Sequence, residues 1–182
     1  IKIGRRGSLT GKLIIFGLQG HVAYPSRANN PSTIIVNILK ELKEIKFDKG
    51  TKDFQPTNLE VTKININNTA DNVIPATAEA TFNIRFNNKH SSNSLKKKLN
   101  KIFRKMTKKH KSKFKIEYRV SGEAFLTKPN KTTFMIQNII KKITKLKPKL
   151  STTGGTSDLR FIRTICPGLE FGLVGKTMHK VD

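Results

Sequence analysis

The residues best suited to chemistry are few and far apart in the 182-residue chain. His21 lies in Gly20-His21-Val22-Ala23-Tyr24-Pro25. A histidine beside a glycine at a strand end presents its imidazole on a backbone free to turn sharply, which suits donation to a developing oxyanion. A plain surface-loop histidine would look the same. Asn72, within Thr69-Ala70-Asp71-Asn72-Val73-Ile74-Pro75, can donate and accept, and asparagine is equally an ordinary turn former. Arg85 falls on the polar side of an alternating segment, where its guanidinium can hold a carboxylate or simply face solvent. Ser151-Thr152-Thr153-Gly154-Gly155-Thr156-Ser157-Asp158 is a glycine-rich turn ahead of a helix. Its N–H groups and hydroxyls can cradle an anion, whereas Asp158 reads equally as charge in a helix's first turn. The Gly-Lys-Ser/Thr ending of a nucleotide P-loop is missing. His179 adds one more imidazole, but no HxH, HxxxH or HxD spacing occurs, so these residues cannot complete a metal centre unaided. Cys166, against Pro167, reads as structural.

The elements that must position these groups follow from periodicity. Residues 9–18 form a β-rich run turning at Gly20. Asn30 and Pro31 supply an N-cap and a first helical position. Ile34, Ile38, Leu42 and Ile45 then recur at helical spacing up to Asp48-Lys49-Gly50, where glycine can take the left-handed cap. Residues 58–66 are a second strand. In the third, Ala76, Ala78, Ala80, Phe82, Ile84 and Phe86 alternate with polar residues, as a strand with one buried face requires. A Ser/Asn cluster at 91–94 opens a second helix carrying Leu95, Leu99, Phe103 and Met106 inward, and Phe114, Ile116, Tyr118 and Val120 alternate in a fourth strand. The order β-α-β-β-α-β over residues 9–121 is an α+β, ferredoxin-like arrangement with both helices on one face of the sheet. Beyond Gly122, a helix with Phe134, Ile136, Ile139 and Ile143 ends before Pro148. A short helix through 165 and a buried strand at 169–173 follow. This tail is too small for a domain of its own and, with residues 1–8, reads as one end of a second domain.

Composition is strongly basic, with 36 Lys+Arg against 12 Asp+Glu and a formal net charge of +24. Of those cations 28 are Lys and 8 are Arg, scattered over nearly every segment beside 20 Ile and 15 Asn. Such a field attracts polyanions loosely, but a specific nucleic-acid binder draws chiefly on Arg. A ferredoxin-like RNA-binding sheet would also expose aromatics for base stacking. Here the polar face of residues 77–85 is Thr, Glu, Thr, Asn and Arg. No apolar run approaches the roughly 18 residues of a membrane span. A single cysteine excludes an intramolecular disulfide framework and suits a reducing compartment.

Six segments in order carry a family resemblance. They are Gly4-Arg5-Arg6-Gly7-Ser8-Leu9-Thr10-Gly11-Lys12, Gln19-Gly20-His21-Val22-Ala23-Tyr24-Pro25, Asn72-Val73-Ile74-Pro75, Phe82-Asn83-Ile84-Arg85-Phe86, the glycine-rich turn at 151–158, and Glu170-Phe171-Gly172 with Thr177-Met178-His179. Together they resemble the bacterial succinyl-diaminopimelate desuccinylase family, dinuclear-zinc amidohydrolases of the aminoacylase/carboxypeptidase superfamily. The resemblance covers the whole chain and about the second half of the family's length. It implies a cytoplasmic homodimer that hydrolyses N-succinyl-LL-2,6-diaminopimelate to succinate and LL-2,6-diaminopimelate. Two zinc ions per subunit are implied, with cobalt possible in one site. It also implies a lid and dimerisation domain at 9–121, inserted into an incomplete α/β zinc-hydrolase catalytic domain represented by 1–8 and 122–182. By motif, His179 matches a metal ligand, and His21 matches a histidine that reaches the partner subunit's active site. Asn72 also matches a residue acting across the dimer. Arg5, Ser8, Tyr24, Arg85, Gly155 and Thr156 fall on substrate-contacting positions. The other metal ligands and the catalytic glutamate are expected upstream of Ile1, so the 182 residues alone are expected to be inactive. Gly175 stands where the family usually has asparagine. A sibling deacylase acting on acetylornithine is the alternative on the same scaffold.

Overall fold

The computed structural model describes residues 1–155 and 157–172. In chain order its elements are β1 (Gly4–Arg5), β2 (Gly7–Phe16), β3 (Gly20–His21), a 3₁₀ turn at Pro25–Arg27, α1 (Pro31–Glu44), β4 (Asn58–Asn65), β5 (Val73–Ile74), β6 (Thr77–Phe86), α2 (Ser92–Lys109), β7 (Lys113–Gly122), β8 (Phe125–Leu126), α3 (Lys131–Thr144) and α4 (Leu159–Ile162). The main sheet has the order β4-β6-β2-β7, and every neighbouring pair is antiparallel. That is the ferredoxin-like order expected from the sequence. Two short ribbons flank it, β1 with β8 and β3 with β5.

The period of two in β2 and β6 decides which face is covered. Leu9, Leu13 and Ile15 of β2, with Ala78, Ala80, Phe82, Ile84 and Phe86 of β6, form one core with Ile34, Ile35, Ile38 and Leu42 of α1 and Leu95, Leu99 and Phe103 of α2. Burying a side chain of this size stabilises by about 1.5–3 kcal/mol, so these residues dominate the fold's energetics. Gly11 is fixed by its cross-strand partner, since any Cβ there would overlap the Phe82 ring. Both helices start as their caps dictate. Asn30 accepts the Ser32 N–H at 2.9 Å, and Ser91 and Ser94 form a reciprocal capping box.

Three elements differ from the sequence expectation. α1 ends at Glu44, not at Gly50. Gly50 does take a left-handed φ of 84°, but it does so to turn its N–H onto Asp48 Oδ1 at 2.6 Å. Asp48 thereby organises the connection to β4. It accepts from Asn87 Nδ2 at 2.7 Å and from the Thr57 N–H, and it meets His90 Nε2 at 3.0 Å. Residues 169–172 are not a buried strand. Glu170 makes a single antiparallel bridge to Lys2, and Phe171 is 63% exposed. Cys166 is exposed rather than packed in a core.

Burial alone would raise the Asp48 carboxyl, but hydrogen bonds from Thr57, Gly50 and Asn87 outweigh it and hold the group at about 2, below its usual 3.8. A carboxyl depressed on folding contributes stability that is complete above its ordinary range and is lost as pH falls from 3.8 towards 2. Asp48→Ala leaves buried donors unpaired and should cost about 1–3 kcal/mol at neutral pH. Denaturant unfolding measured across pH 7 to 2 should show this deficit shrink in the acid limb, where the parent loses what the variant already lacks.

Candidate functional site

The sheet distributes the predicted site residues between its two ends. At one end Ser8 of β2 lies opposite Arg85 of β6, which lies opposite Asn58 of β4. At the other end Phe16 pairs with Thr77, and β3 and β5 emerge beyond them. Eight residues of strand separate Ser8 from Phe16, about 26 Å at the usual rise per residue. His21 and Arg85 therefore cannot meet on one substrate within a single chain.

His21, Tyr24 and Asn72 form the distal cluster. Gly20 pairs with Ile74 and His21 with Val73, and the Val22 N–H donates to the Asn72 carbonyl at 3.0 Å. The ribbon so formed is a projecting arm that carries both polar residues. His21 Nδ1 accepts the Ala23 N–H at 3.1 Å. In the neutral ring the proton then sits on Nε2, leaving it an outward donor. Tyr24 lies 6.0 Å from the His21 ring, with the Arg27 guanidinium 5.3 Å from its own centroid.

The proximal cluster is a cationic corner. Arg85 Nη1 is buried and has no hydrogen-bond partner among the described residues. Burial, and then the charge of Arg85, lower the proton affinity of the neighbouring Arg6 guanidinium. Arg6 spends its own donors on Asn58 Oδ1 at 2.8 Å and the Pro56 carbonyl at 3.0 Å. Ser8 is buried and accepts from Asn83 Nδ2 at 3.2 Å. A buried, unpaired guanidinium nitrogen beside a second cation is the setting in which an incoming carboxylate gains most.

Arg5 behaves differently from the expectation of a free carboxylate clamp. Its Nε donates to Glu170 Oε2 at 2.9 Å, its Nη2 pairs with the same oxygen, and its Nη1 donates to the Thr153 carbonyl at 2.9 Å. Lys2 Nζ also reaches the hydroxyls of Ser151 and Thr153. The glycine-rich turn thus offers oxygens to cations here, where its N–H groups were expected to hold an anion. Gly154, at φ 106°, faces the Arg5 guanidinium, and Gly155 stands in open space. Thr156, Gly175 and His179 lie outside the described residues.

Among the described residues no group of three or more His, Cys, Asp or Glu could hold a metal ion, so they do not by themselves fit a metal centre. Nor is any helix among them long and apolar enough to cross a membrane. Sequence reasoning missed Glu170 as the partner of Arg5, Arg6 as the brace of Asn58, and the Asp48 cluster. Arg5 and Glu170 are 165 residues apart, Arg6 and Asn58 52, and Asp48 meets Asn87 and His90 at 39 and 42, so no short period marks these pairings.

Residues 3–111 match the M20_dimer family model, described as a peptidase dimerisation domain. Over all 182 residues the chain is 80% identical to a succinyl-diaminopimelate desuccinylase of Pelagibacter ubique and 48% identical to one of Phenylobacterium zucineum. It spans about half the length of these curated relatives, 47% and 48% respectively. Among solved structures, a tripeptidase from Staphylococcus aureus superposes with a TM-score of 0.75 at 18% identity, covering 91% of this chain and 43% of its own. An aminopeptidase from Bacillus cereus gives a TM-score of 0.72 at 16% identity, covering 90% and 42%. Those two likenesses establish the fold.

Gly154→Ala should displace Arg5, because its Cβ would collide with Nη1 and its φ is strained for any L side chain. The expected cost is about 1–3 kcal/mol, read by thermal unfolding. Gly155→Ala, whose Cβ meets nothing within 4 Å among the described residues, should be close to neutral.

Proposed function

The chain belongs to the M20_dimer family of peptidase dimerisation domains, and on that premise we propose that its full-length protein hydrolyses N-succinyl-LL-2,6-diaminopimelate. Water adds to the amide carbonyl, the C–N bond breaks, and succinate and LL-2,6-diaminopimelate leave. The names of the relatives support this substrate, as does the 80% identity to one of them. Related deacylation of acetylornithine is the control chemistry.

The observation that carries the reading is the division of the site. His21 and Asn72 share one arm beyond the Phe16 end of β2, and strand rise puts Phe16 about 26 Å from Ser8 at the Arg85 corner. A homodimer resolves the division if the arm of one subunit serves the other subunit's substrate. In this reading residues 9–121 are the lid and dimerisation domain, and 1–8 with 122–182 belong to the catalytic domain. His21 Nε2–H donates to the oxyanion that forms as water adds, and Asn72 steadies the substrate from the same arm. Arg85 takes a substrate carboxylate, with Ser8, Gly155 and Thr156 as further contacts from the same chain and the partner's Tyr24 arriving with His21 on the other subunit's arm. Arg5 joins them by exchanging Glu170 for substrate. The metal centre, two zinc ions with cobalt possible in one site, takes His179 from this chain and draws its remaining ligands from outside it. The compartment is the cytoplasm, where the reducing conditions suit an exposed thiol such as Cys166.

Full-length protein assayed side by side should prefer N-succinyl-LL-2,6-diaminopimelate over N-acetylornithine by about 10²-fold or more in kcat/KM, because unpaired site cations penalise the shorter acyl group. Equal or reversed rates would remove the substrate assignment. His21→Ala should lower kcat by about 10²- to 10³-fold with KM little changed, the signature of a donor engaged in the transition state.

A further inference from the structure

The connection between α1 and β4, residues 45–57, has no regular structure, yet it is tied to three other parts of the chain. Phe54 roots it in the interior. The first tie is to the end of β6. Asn87, fully buried two residues after Arg85, donates its backbone N–H to Thr57 Oγ1 at 3.2 Å. Its Nδ2 donates to Asp48 Oδ1 at 2.7 Å and to the Gln55 carbonyl at 3.2 Å. The second tie is to the β1–β2 junction, where Arg6 donates to the Pro56 carbonyl. The third is to the glycine-rich turn, where the buried Thr152 hydroxyl donates to the Asp53 carbonyl. Asp48 closes this loop. Its side chain is 6% exposed and meets the Gly50 N–H, the Thr57 N–H, Asn87 Nδ2 and His90 Nε2. A carboxylate has two oxygens to satisfy such a set, whereas an asparagine has one and turns an NH₂ towards the rest.

We propose that Asp48 is a positioning residue for substrate binding: by clamping Thr57 to Asn87 it fixes the end of the β4–β6 ladder and so holds the Arg85 guanidinium where a carboxylate enters. The inference deepens the function proposed above and rests on it. Asp48 acts through its neighbours, since its hydrogen bonds reach Thr57 and Asn87, which flank the Asn58–Arg85 pair, and not Arg85 itself. If the clamp is released, the strand end samples arrangements in which Arg85 is misplaced. The apparent affinity for substrate then falls by the fraction of time the corner is competent to bind. Nothing in the clamp touches the atoms that react, so the effect belongs to KM and not to kcat. Charge alone predicts the reverse. Removing a carboxylate makes the region more cationic, which by Coulomb attraction would tighten an anionic substrate and lower KM. The sign of the change in KM therefore separates positioning from electrostatics.

The test uses the full-length protein with N-succinyl-LL-2,6-diaminopimelate. Asp48→Asn should raise KM about tenfold and leave kcat within about twofold, the pattern of lost ground-state binding. Thr57→Val keeps the side-chain shape and removes the hydroxyl that accepts from Asn87, so it should raise KM in the same direction, and Thr57→Ser should restore it. That pair does not depend on Asp48→Asn folding. In an Arg85→Ala background, itself raised in KM, Asp48→Asn should change KM no further, because the clamp then has nothing to position. A merely structural role would instead lower kcat through loss of active enzyme, and would do so equally in that background. Unchanged or lowered KM in a folded Asp48→Asn or in Thr57→Val, or full additivity with Arg85→Ala, overturns the positioning role and leaves the substrate reading standing. An Arg85→Ala enzyme with the parent's KM, or a parent that does not hydrolyse the substrate, overturns both.

Discussion

Every other feature depends on β2 being paired along its whole length on both sides. Each residue from Gly7 to Phe16 has a partner in β6, and the same strand is laddered to β7 from Ser8 to Phe16. A strand held by two ladders and buried on its helix face cannot shorten, slip or bend without exposing Leu9, Leu13 and Ile15 together. It therefore acts as a ruler. Whatever chemistry the protein carries at the Ser8 end is held about 26 Å from whatever follows Phe16. The separation of His21 from Arg85 is a consequence of that rigidity, not of a loop that happens to be open.

The same strand explains why the Asp48 cluster sits where it does. Thr57 immediately precedes β4, Asn87 immediately follows β6, and both are tied to one carboxylate. Asn58 and Arg85, which lie opposite one another, are thus each one or two residues from a fixed point. Arg6 adds a third tie through Pro56 and Asn58. A guanidinium nitrogen buried without a partner among the described residues carries a desolvation cost that would ordinarily turn it towards water. Here the backbone around it is braced from β1, β4 and β6, so the nitrogen stays in place. The corner is preorganised by hydrogen bonds outside the cationic pair itself.

What was legible in the sequence was whatever is written in short periods. The alternation through Phe82, Ile84 and Phe86, the Asn30-Pro31 start and the Ser91 cap are each decided within a few residues, and each appears as read. The limit of α1 was not legible, because Gly50 is bent by a carboxylate two residues away whose other partners lie 9 to 42 residues off. Two-residue strands such as β3 and β5 carry no period at all, so the sequence could mark His21 and Asn72 as polar and could not join them. Arg5 and Glu170, 165 residues apart, show the same limit in the site itself. The motif Arg5-Arg6-Gly7-Ser8 suggests a substrate clamp, and only packing reveals that one of its two arginines has an internal carboxylate.

The charge of +24 acquires meaning only once the cations are separated by surroundings. Lysines such as Lys97 and Lys101 lie along the outer side of α2, where water screens them and their individual energies are small. Lys113 and Lys115 do something different: they guard the β7 edge against other strands, a role that needs charge and no particular ligand. Arg5 is paired with Glu170, whereas Arg6, its proton affinity lowered first by burial and then by the charge of Arg85, has no carboxylate beside it among the described residues. The composition therefore says little about partners by its sum. A carboxylate entering the Arg85 corner would relieve repulsion between fixed, partly desolvated cations, whereas a polyanion on the lysine surface would only displace mobile counterions. In the proposed function, selectivity for a small, carboxylate-bearing ligand over nucleic acid would follow from where the cations are held, not from how many there are.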